Sequence, residues 1–266
     1  MRYTDSWRLG KAFTPVVRYL IFINAGISVF ELLLQVNLAT YFGLSPLNFW
    51  RGFFWQPVTY MFLHGGFFHL LINMFILWMF GTTLEATWGS RRFLKFYMIC
   101  GIGAGLLNAA VTPGTVIPTV GASGAIYGLL MAFGILFPDQ IILVWGIFPV
   151  KARIFVIGLG IIELLTALST THSNIAHFAH LGGMLFGLIY MKWDEGKRLL
   201  YAWRGEQRRR HDLKVVWNRD REREKLQKDI DALLSKINEN GMDSLTDEER
   251  DRLTAASKKM RKWEEE

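Results

Sequence analysis

Three short stretches of this sequence carry groups that could do chemistry. HGGFFHLLINMF holds His64, His69 and Asn73; GASGAIYG holds Ser123 between Gly121 and Gly124, with Tyr127 a turn further on; HFAHLGGMLFG holds His177 and His180, followed by Gly183 and Gly187. A serine hydroxyl is a poor nucleophile until a base takes its proton, and histidine is the usual base because its pKa suits work near neutral pH. The oxyanion formed on attack needs donors, which an amide side chain, a second imidazole and backbone N–H groups can supply. His69 and Asn73, four positions apart, lie one above the other on a single helix face. Each piece has an ordinary explanation by itself. A serine in a membrane helix usually bonds its own i−4 carbonyl, and small-xxx-small glycines are common in helix packing. The joint arrangement is more informative than its members.

The elements that must position these groups are membrane helices. Residues 1–191 hold 10 of the 30 Lys/Arg and 5 of the 23 Asp/Glu, leaving 20 and 18 for residues 192–266. A soluble domain of that size needs far more charge on its surface. The expected fold is therefore an all-α membrane protein. Its membrane domain covers residues 1–193, and a charged, helical cytoplasmic tail covers 194–266. Apolar stretches near 17–38, 57–80, 93–112, 120–137, 152–170 and 174–191 suit six spans of about 20 residues each. The first is too long for a signal peptide and lacks a small-residue cleavage site.

Positive charge orients the spans. Arg2, Arg8, Lys11 and Arg18 precede the first; Arg91, Arg92 and Lys95 lie between the second and third. Lys151 and Arg153 precede the fifth, and Lys192, Lys197 and Arg198 follow the sixth, whereas the opposite loops are nearly uncharged. This alternation predicts cytoplasmic termini and puts all three chemical clusters in the non-cytoplasmic half. Of the net charge of +7, the first 191 residues account for +5, which topology explains, so nucleic acid is not an expected partner. The single cysteine, Cys100, excludes an intrachain disulfide and a cysteine zinc site. No metal or other cofactor is expected either, because His69, His177 and His180 have no carboxylate partner at matching depth. Glu31 and Glu163 are left without a nameable partner.

Taken in order, Trp50-Arg51, His64, His69 with Asn73, the Gly81/Glu85/Gly89 pattern, Gly121-Ala122-Ser123-Gly124, Tyr127, and His180 with Gly183 and Gly187 resemble the rhomboid family of intramembrane serine proteases. The likeness runs over about 180 residues, from the first span through the sixth. It implies Ser123 as nucleophile and His180 as general base and later general acid. It implies a dyad, with no Asp or Glu orienting the imidazole and Tyr127 packing on the His180 ring instead. His69, Asn73 and the backbone N–H of Ser123 would form the oxyanion hole. The small faces at Gly124 and Gly128, and at Gly183 and Gly187, would let two helix backbones approach until imidazole and hydroxyl meet. Glu85 would bond backbone groups and serve structure.

The activity implied is that of an intramembrane serine endopeptidase acting on single-span membrane proteins, in a bacterial plasma membrane. Those substrates would carry small or helix-destabilising residues near the outer surface, because a helix hides its carbonyl carbons. The alternative is a non-catalytic rhomboid-like scaffold that binds transmembrane helices. A transporter would need inverted repeats or a charged pathway, and neither is present.

Two segments stay open. The loop at 39–56, with Trp50, Trp55 and several phenylalanines around Arg51, reads either as an interfacial aromatic belt or as a folded loop that shapes a site. Residues 192–225, with 12 Lys/Arg, read either as a surface for anionic lipid heads or as a solvated helix. Beyond them Leu226, Ile230, Leu233 and Ile237 make one apolar stripe, and Leu253, Ala256, Met260 and Trp263 a second. Gly241 and the Thr246/Glu249 capping-box pair between the stripes predict a helical hairpin, and KINENGMDSLTDEER resembles a C-terminal segment of some bacterial rhomboids.

Overall fold

A computed structural model describes residues 13–144, 146–169 and 175–265. The described residues form two compact units, Met1–Glu195 and Gly196–Glu266. The first opens with α1 (Pro15–Leu34), which begins on a proline whose fixed φ suits a first helical turn. It ends where Gln35 turns left-handed at φ 51°. Leu32 and Leu33 on this helix are 76% and 74% exposed, as side chains facing lipid rather than water should be. The start of α1 is held by Glu85, whose carboxylate accepts from the Val16 and Val17 amides at 3.0 and 2.9 Å.

The loop at 39–56 is folded. It contains α2 (Ala39–Phe42) and α3 (Pro46–Trp50), and leads into α4 (Gln56–Thr59). Buried Gln56 accepts from the Ser45 amide at 3.1 Å, and the Trp50 indole donates to the Ala109 carbonyl at 2.9 Å. The second expected span starts later than 57. Residues up to Phe62 lie in α4 and a 3₁₀ turn, and Gly66, at φ 150°, breaks the chain before α5 (Phe67–Ile76). A π-helical turn at Leu77–Gly81 joins α5 to α6 (Thr82–Trp88).

The core lies around α7 (Ser90–Val111), which buries Phe93, Phe96, Tyr97 and Cys100. Its neighbour α8 (Ser123–Leu136) packs extensively against it. Among the described residues, Pro15–Leu34, Phe67–Trp88 and Ser90–Val111 are helices long and apolar enough to cross a membrane, and Ser123–Leu136 is a shorter apolar helix. The all-α expectation meets one small departure, an antiparallel hairpin of β1 (Ile141–Val144) and β2 (Phe148–Lys151). It lies where a basic loop was expected, and Asp139 there pairs with Lys151 and Arg153 at 3.2 and 3.3 Å. Two helices follow, α9 (Ala152–Leu168) and α10 (Ile175–Asn240).

The glycines of α8 and α10 set how closely these helices pass. A Cβ at Gly183 would stand 1.8 Å from the Gly124 carbonyl oxygen, and one at Gly187 would stand 3.2 Å from the Gly128 Cα. Only backbone fits there, which is the contact small-xxx-small faces permit.

In the second unit α10 ends at Gly241 (φ 81°), and a short turn leads into α11 (Asp247–Glu265). Lys236 pairs with Glu249 at 2.7 Å and Arg252 with Asp229 at 3.6 Å, so α11 runs antiparallel to the end of α10. Thr246 and Glu249 form the reciprocal capping box at the start of α11, with bonds of 2.9 and 3.2 Å.

Candidate active site

Ser123 is the first residue of α8. Its amide, in the first helical turn, has no acceptor within the helix, and the positive end of the helix dipole lies beside its hydroxyl. Gly121, at φ 125°, turns the chain into this helix and donates its N–H to the Tyr60 carbonyl at 2.9 Å. From α10, His180 brings Nε2 to 2.9 Å from Ser123 Oγ. Tyr127, one turn along α8, stacks on the His180 ring with centroids 4.2 Å apart and planes 9° apart.

His69 approaches from α5. A Cβ on Gly121 would stand 2.9 Å from His69 Nε2 and 3.7 Å from Ser123 Oγ, so the imidazole edge lies against residue 121, on the side of the serine, only because that residue lacks a side chain. The Gly65 amide donates to His69 Nδ1 at 3.3 Å, which assigns the ring proton of the neutral imidazole to Nε2, the edge facing Gly121. Asn73 lies one turn further along, buried, and donates one amide hydrogen to the His69 carbonyl at 2.9 Å. His64 stacks edge-on against His69 at 5.2 Å, with both ring nitrogens buried and without a protein partner. Among the described residues neither Asn73 nor His64 hydrogen-bonds Ser123. Ser123, Tyr127 and His180 meet directly, His69 lies against Gly121 beside them, and Asn73 and His64 pack on His69.

One residue of the cluster went unassigned in the sequence. Glu163 of α9, for which the sequence names no partner, is buried and holds three groups. Its Oε1 is 3.1 Å from His180 Nδ1 and also accepts from the Tyr127 hydroxyl, while Oε2 is 2.6 Å from His177 Nδ1. The expectation that no carboxylate lies at the depth of the histidines is corrected by these contacts. So is the premise on which a metal was set aside, since ligand atoms of Glu163, His177 and His180 all lie within 4.8 Å of one another. A signal was available. At 1.5 Å rise per residue, Glu163 lies ~16 Å beyond the start of α9, in the half of the span that holds His180. An ionisable residue inside a membrane helix usually marks function and has a partner.

Comparison with known proteins agrees with this geometry. Residues 51–193 match the Rhomboid domain, and residues 217–259 match a family of unknown function, DUF6576. Rhomboid-like protease 5 of Toxoplasma gondii is 34% identical over 174 residues, covering 62% of this chain and 19% of that protein. Rhomboid protease GluP of Bacillus subtilis is 33% identical over 142 residues, covering 52% and 26%. The mitochondrial Rhomboid protein 1 of Saccharomyces cerevisiae is 35% identical over 134 residues, covering 48% and 38%. The chain thus matches less than half the length of each of these relatives. The Rhomboid domain match nevertheless spans more than half of this chain and encloses Ser123, His180 and every helix between them. On that extent of agreement, the chain belongs to the rhomboid family.

Proposed function

We propose that this integral membrane protein is an intramembrane serine endopeptidase that cleaves peptide bonds in or near transmembrane segments of membrane proteins. The observation that carries the reading is the 2.9 Å approach of His180 Nε2 to Ser123 Oγ at the start of α8. That distance suits direct proton transfer. Two of the relatives are themselves named as proteases, which supports the same reading.

In the proposed reaction Ser123 Oγ attacks the scissile carbonyl carbon while its proton passes to His180 Nε2. The oxyanion is met by the Ser123 N–H and by His69 Nε2–H, with the second amide hydrogen of Asn73 as a further donor. The tetrahedral adduct collapses, the C–N bond breaks, and His180 returns the proton to the leaving amine. Water then attacks the acyl-enzyme by the same route and frees Ser123. Tyr127 keeps the imidazole plane in register. Gly121 makes room for His69, and Gly124, Gly183 and Gly187 keep α10 close to α8.

The finer reading follows from charge and chemistry. Six spans across residues 1–193, cytoplasmic termini and a site toward the opposite face are read from the loop charges. A bacterial plasma membrane is read from the resemblance of the tail alone, since the relatives include a mitochondrial protein. Substrates would be single-span proteins with an unwound segment near that face. Residues 194–266 would form a cytoplasmic tail whose basic stretch meets anionic lipid.

A fluorophosphonate probe tests the function. The full chain in detergent should be labelled, and Ser123→Ala and His180→Ala should not. A folded parent protein that resists labelling would instead favour a scaffold that binds helices without cutting them.

A further inference from the structure

We infer that Glu163 is a positioning residue that extends the Ser123–His180 pair to a Ser–His–Glu triad and, itself held by His177 and Tyr127, locks the imidazole into the tautomer that accepts the serine proton. The inference rests on the reading of His180 as the base.

The argument begins with hydrogen-bonding capacity. An ionised carboxylate only accepts, so each group 2.6–3.1 Å from it must bring a proton. His180 Nδ1 therefore carries its hydrogen toward Glu163 Oε1. The neutral ring has one N–H, so Nε2 is left as a lone pair, and that nitrogen is the one 2.9 Å from Ser123 Oγ. The opposite tautomer would turn an N–H on the serine and lose the bond to Glu163 at once.

When the serine proton arrives, the ring becomes an imidazolium with its second N–H already aimed at a negative charge. This is the service the aspartate performs in soluble serine proteases. The position of Glu163 is itself fixed from three sides. His177 occupies Oε2, while Tyr127, already stacked on the ring, donates to the oxygen that also takes His180. His177 and His180 stand edge to face at 6.2 Å, so the carboxylate lies in a cleft of two imidazoles and a phenol. The desolvation cost of a buried charge is offset only by such complete pairing, which gives the carboxylate a reason to be here.

The test compares the parent with Glu163→Gln, Glu163→Asp and Ser123→Ala, as full chains in detergent, with kcat and KM measured on a model single-span substrate. Glu163→Gln keeps the shape but removes the charge and offers donors where donors already point. Its kcat should fall about 10²-fold or more, with KM within threefold and fluorophosphonate labelling slowed in parallel. Glu163→Asp, which keeps the charge, should recover at least tenfold of that loss. If Glu163→Gln fails to fold, the aspartate variant carries the test alone, with kcat lowered and KM and melting temperature near the parent's. A kcat within threefold of the parent in Glu163→Gln would overturn the inference and leave the dyad intact. Full cleavage by Ser123→Ala would instead overturn the reading beneath it. Loss of parent activity on chelation, restored by Zn²⁺, would also overturn the inference, because the carboxylate would then be a metal ligand.

Discussion

Gly183 and Gly124 meet backbone to backbone, so that a Cβ on Gly183 would lie 1.8 Å from the Gly124 carbonyl oxygen. The contact lies one turn beyond His180 on α10 and one residue beyond Ser123 on α8, and it sets the 2.9 Å between imidazole and hydroxyl. A single methyl group here meets main chain, which cannot rotate away. Gly183→Ala should therefore destabilise by about 1–3 kcal/mol, the usual cost of overpacking. It should lower cleavage at least tenfold by moving the base off the serine. Thermal unfolding and turnover check both halves, and an unchanged rate would show that the helices need not approach this closely.

The proposed nucleophile and base make the strictest prediction. Ser123→Ala and His180→Ala should each abolish cleavage of a model single-span substrate while the protein still folds. The double variant should be little worse than either single one, because residues that act as a unit are grossly non-additive. Substantial cleavage by purified Ser123→Ala would discard the mechanism.

Asn73 should matter less. Its amide gives one hydrogen to the His69 carbonyl at 2.9 Å, and only the other is free for the oxyanion. Loss of one such donor costs about 10²–10³ in kcat in a soluble protease. His69 and the Ser123 N–H remain to share the charge, so Asn73→Ala should fall below that range and act on kcat more than on KM. An unchanged kcat would remove Asn73 from the oxyanion hole.

What could be read beforehand, and what could not, follows from the range of each interaction. His69 over Asn73, Ser123 before Tyr127, and His180 before Gly183 are spacings of three or four within one helix, so periodicity brings them together. Glu85 was legible as structural, and its bonds to the Val16 and Val17 amides explain why it is tolerated in an apolar core. The partners of Glu163 lie 14 and 17 residues away on α10 and 36 residues away on α8, and which face of α9 turns toward those helices is decided by packing. The loop at 39–56 was ambiguous for a different reason. Its aromatic composition suits lipid headgroups, while what folds it are side-chain bonds to backbone, such as Trp50 to Ala109 at 2.9 Å, that composition does not register. The late start of α5 had a local signal in Gly65-Gly66, which the continuous apolar run concealed.

Orientation is open to direct measurement. A reporter fused after Lys197 should be cytoplasmic, and one inserted near Pro113 should lie on the other side, as the alternation of basic loops requires. Both on one side would overturn the six-span reading and with it the depth assigned to the site.

The tail offers a test that separates stability from catalysis. Glu249 accepts from Lys236 at 2.7 Å and from the Thr246 amide at 2.9 Å. Those bonds, chiefly the one from Lys236, hold its carboxyl below the ordinary value. A folded-state pKa below the unfolded one stabilises above the unfolded pKa, and the contribution is lost as pH falls through the folded one. The α10–α11 hairpin should therefore hold at neutral pH and loosen in acid, as the pH falls below the ordinary carboxylate range and Glu249 protonates. Glu249→Gln should loosen it at neutral pH and reduce the acid dependence, the remainder coming from the Asp229–Arg252 and Glu222–Lys259 pairs. Spin labels on the outward faces of the two helices would report the separation. Truncation just beyond Glu195 removes this whole unit yet keeps Asp194, whose carboxylate pairs with Arg92 at 2.7 Å and ties the end of the membrane unit to α7. Cleavage in detergent should survive that truncation, since Ser123, His180 and Glu163 all lie within Met1–Glu195. Complete loss of activity in a folded truncation would show that the hairpin belongs to the enzyme.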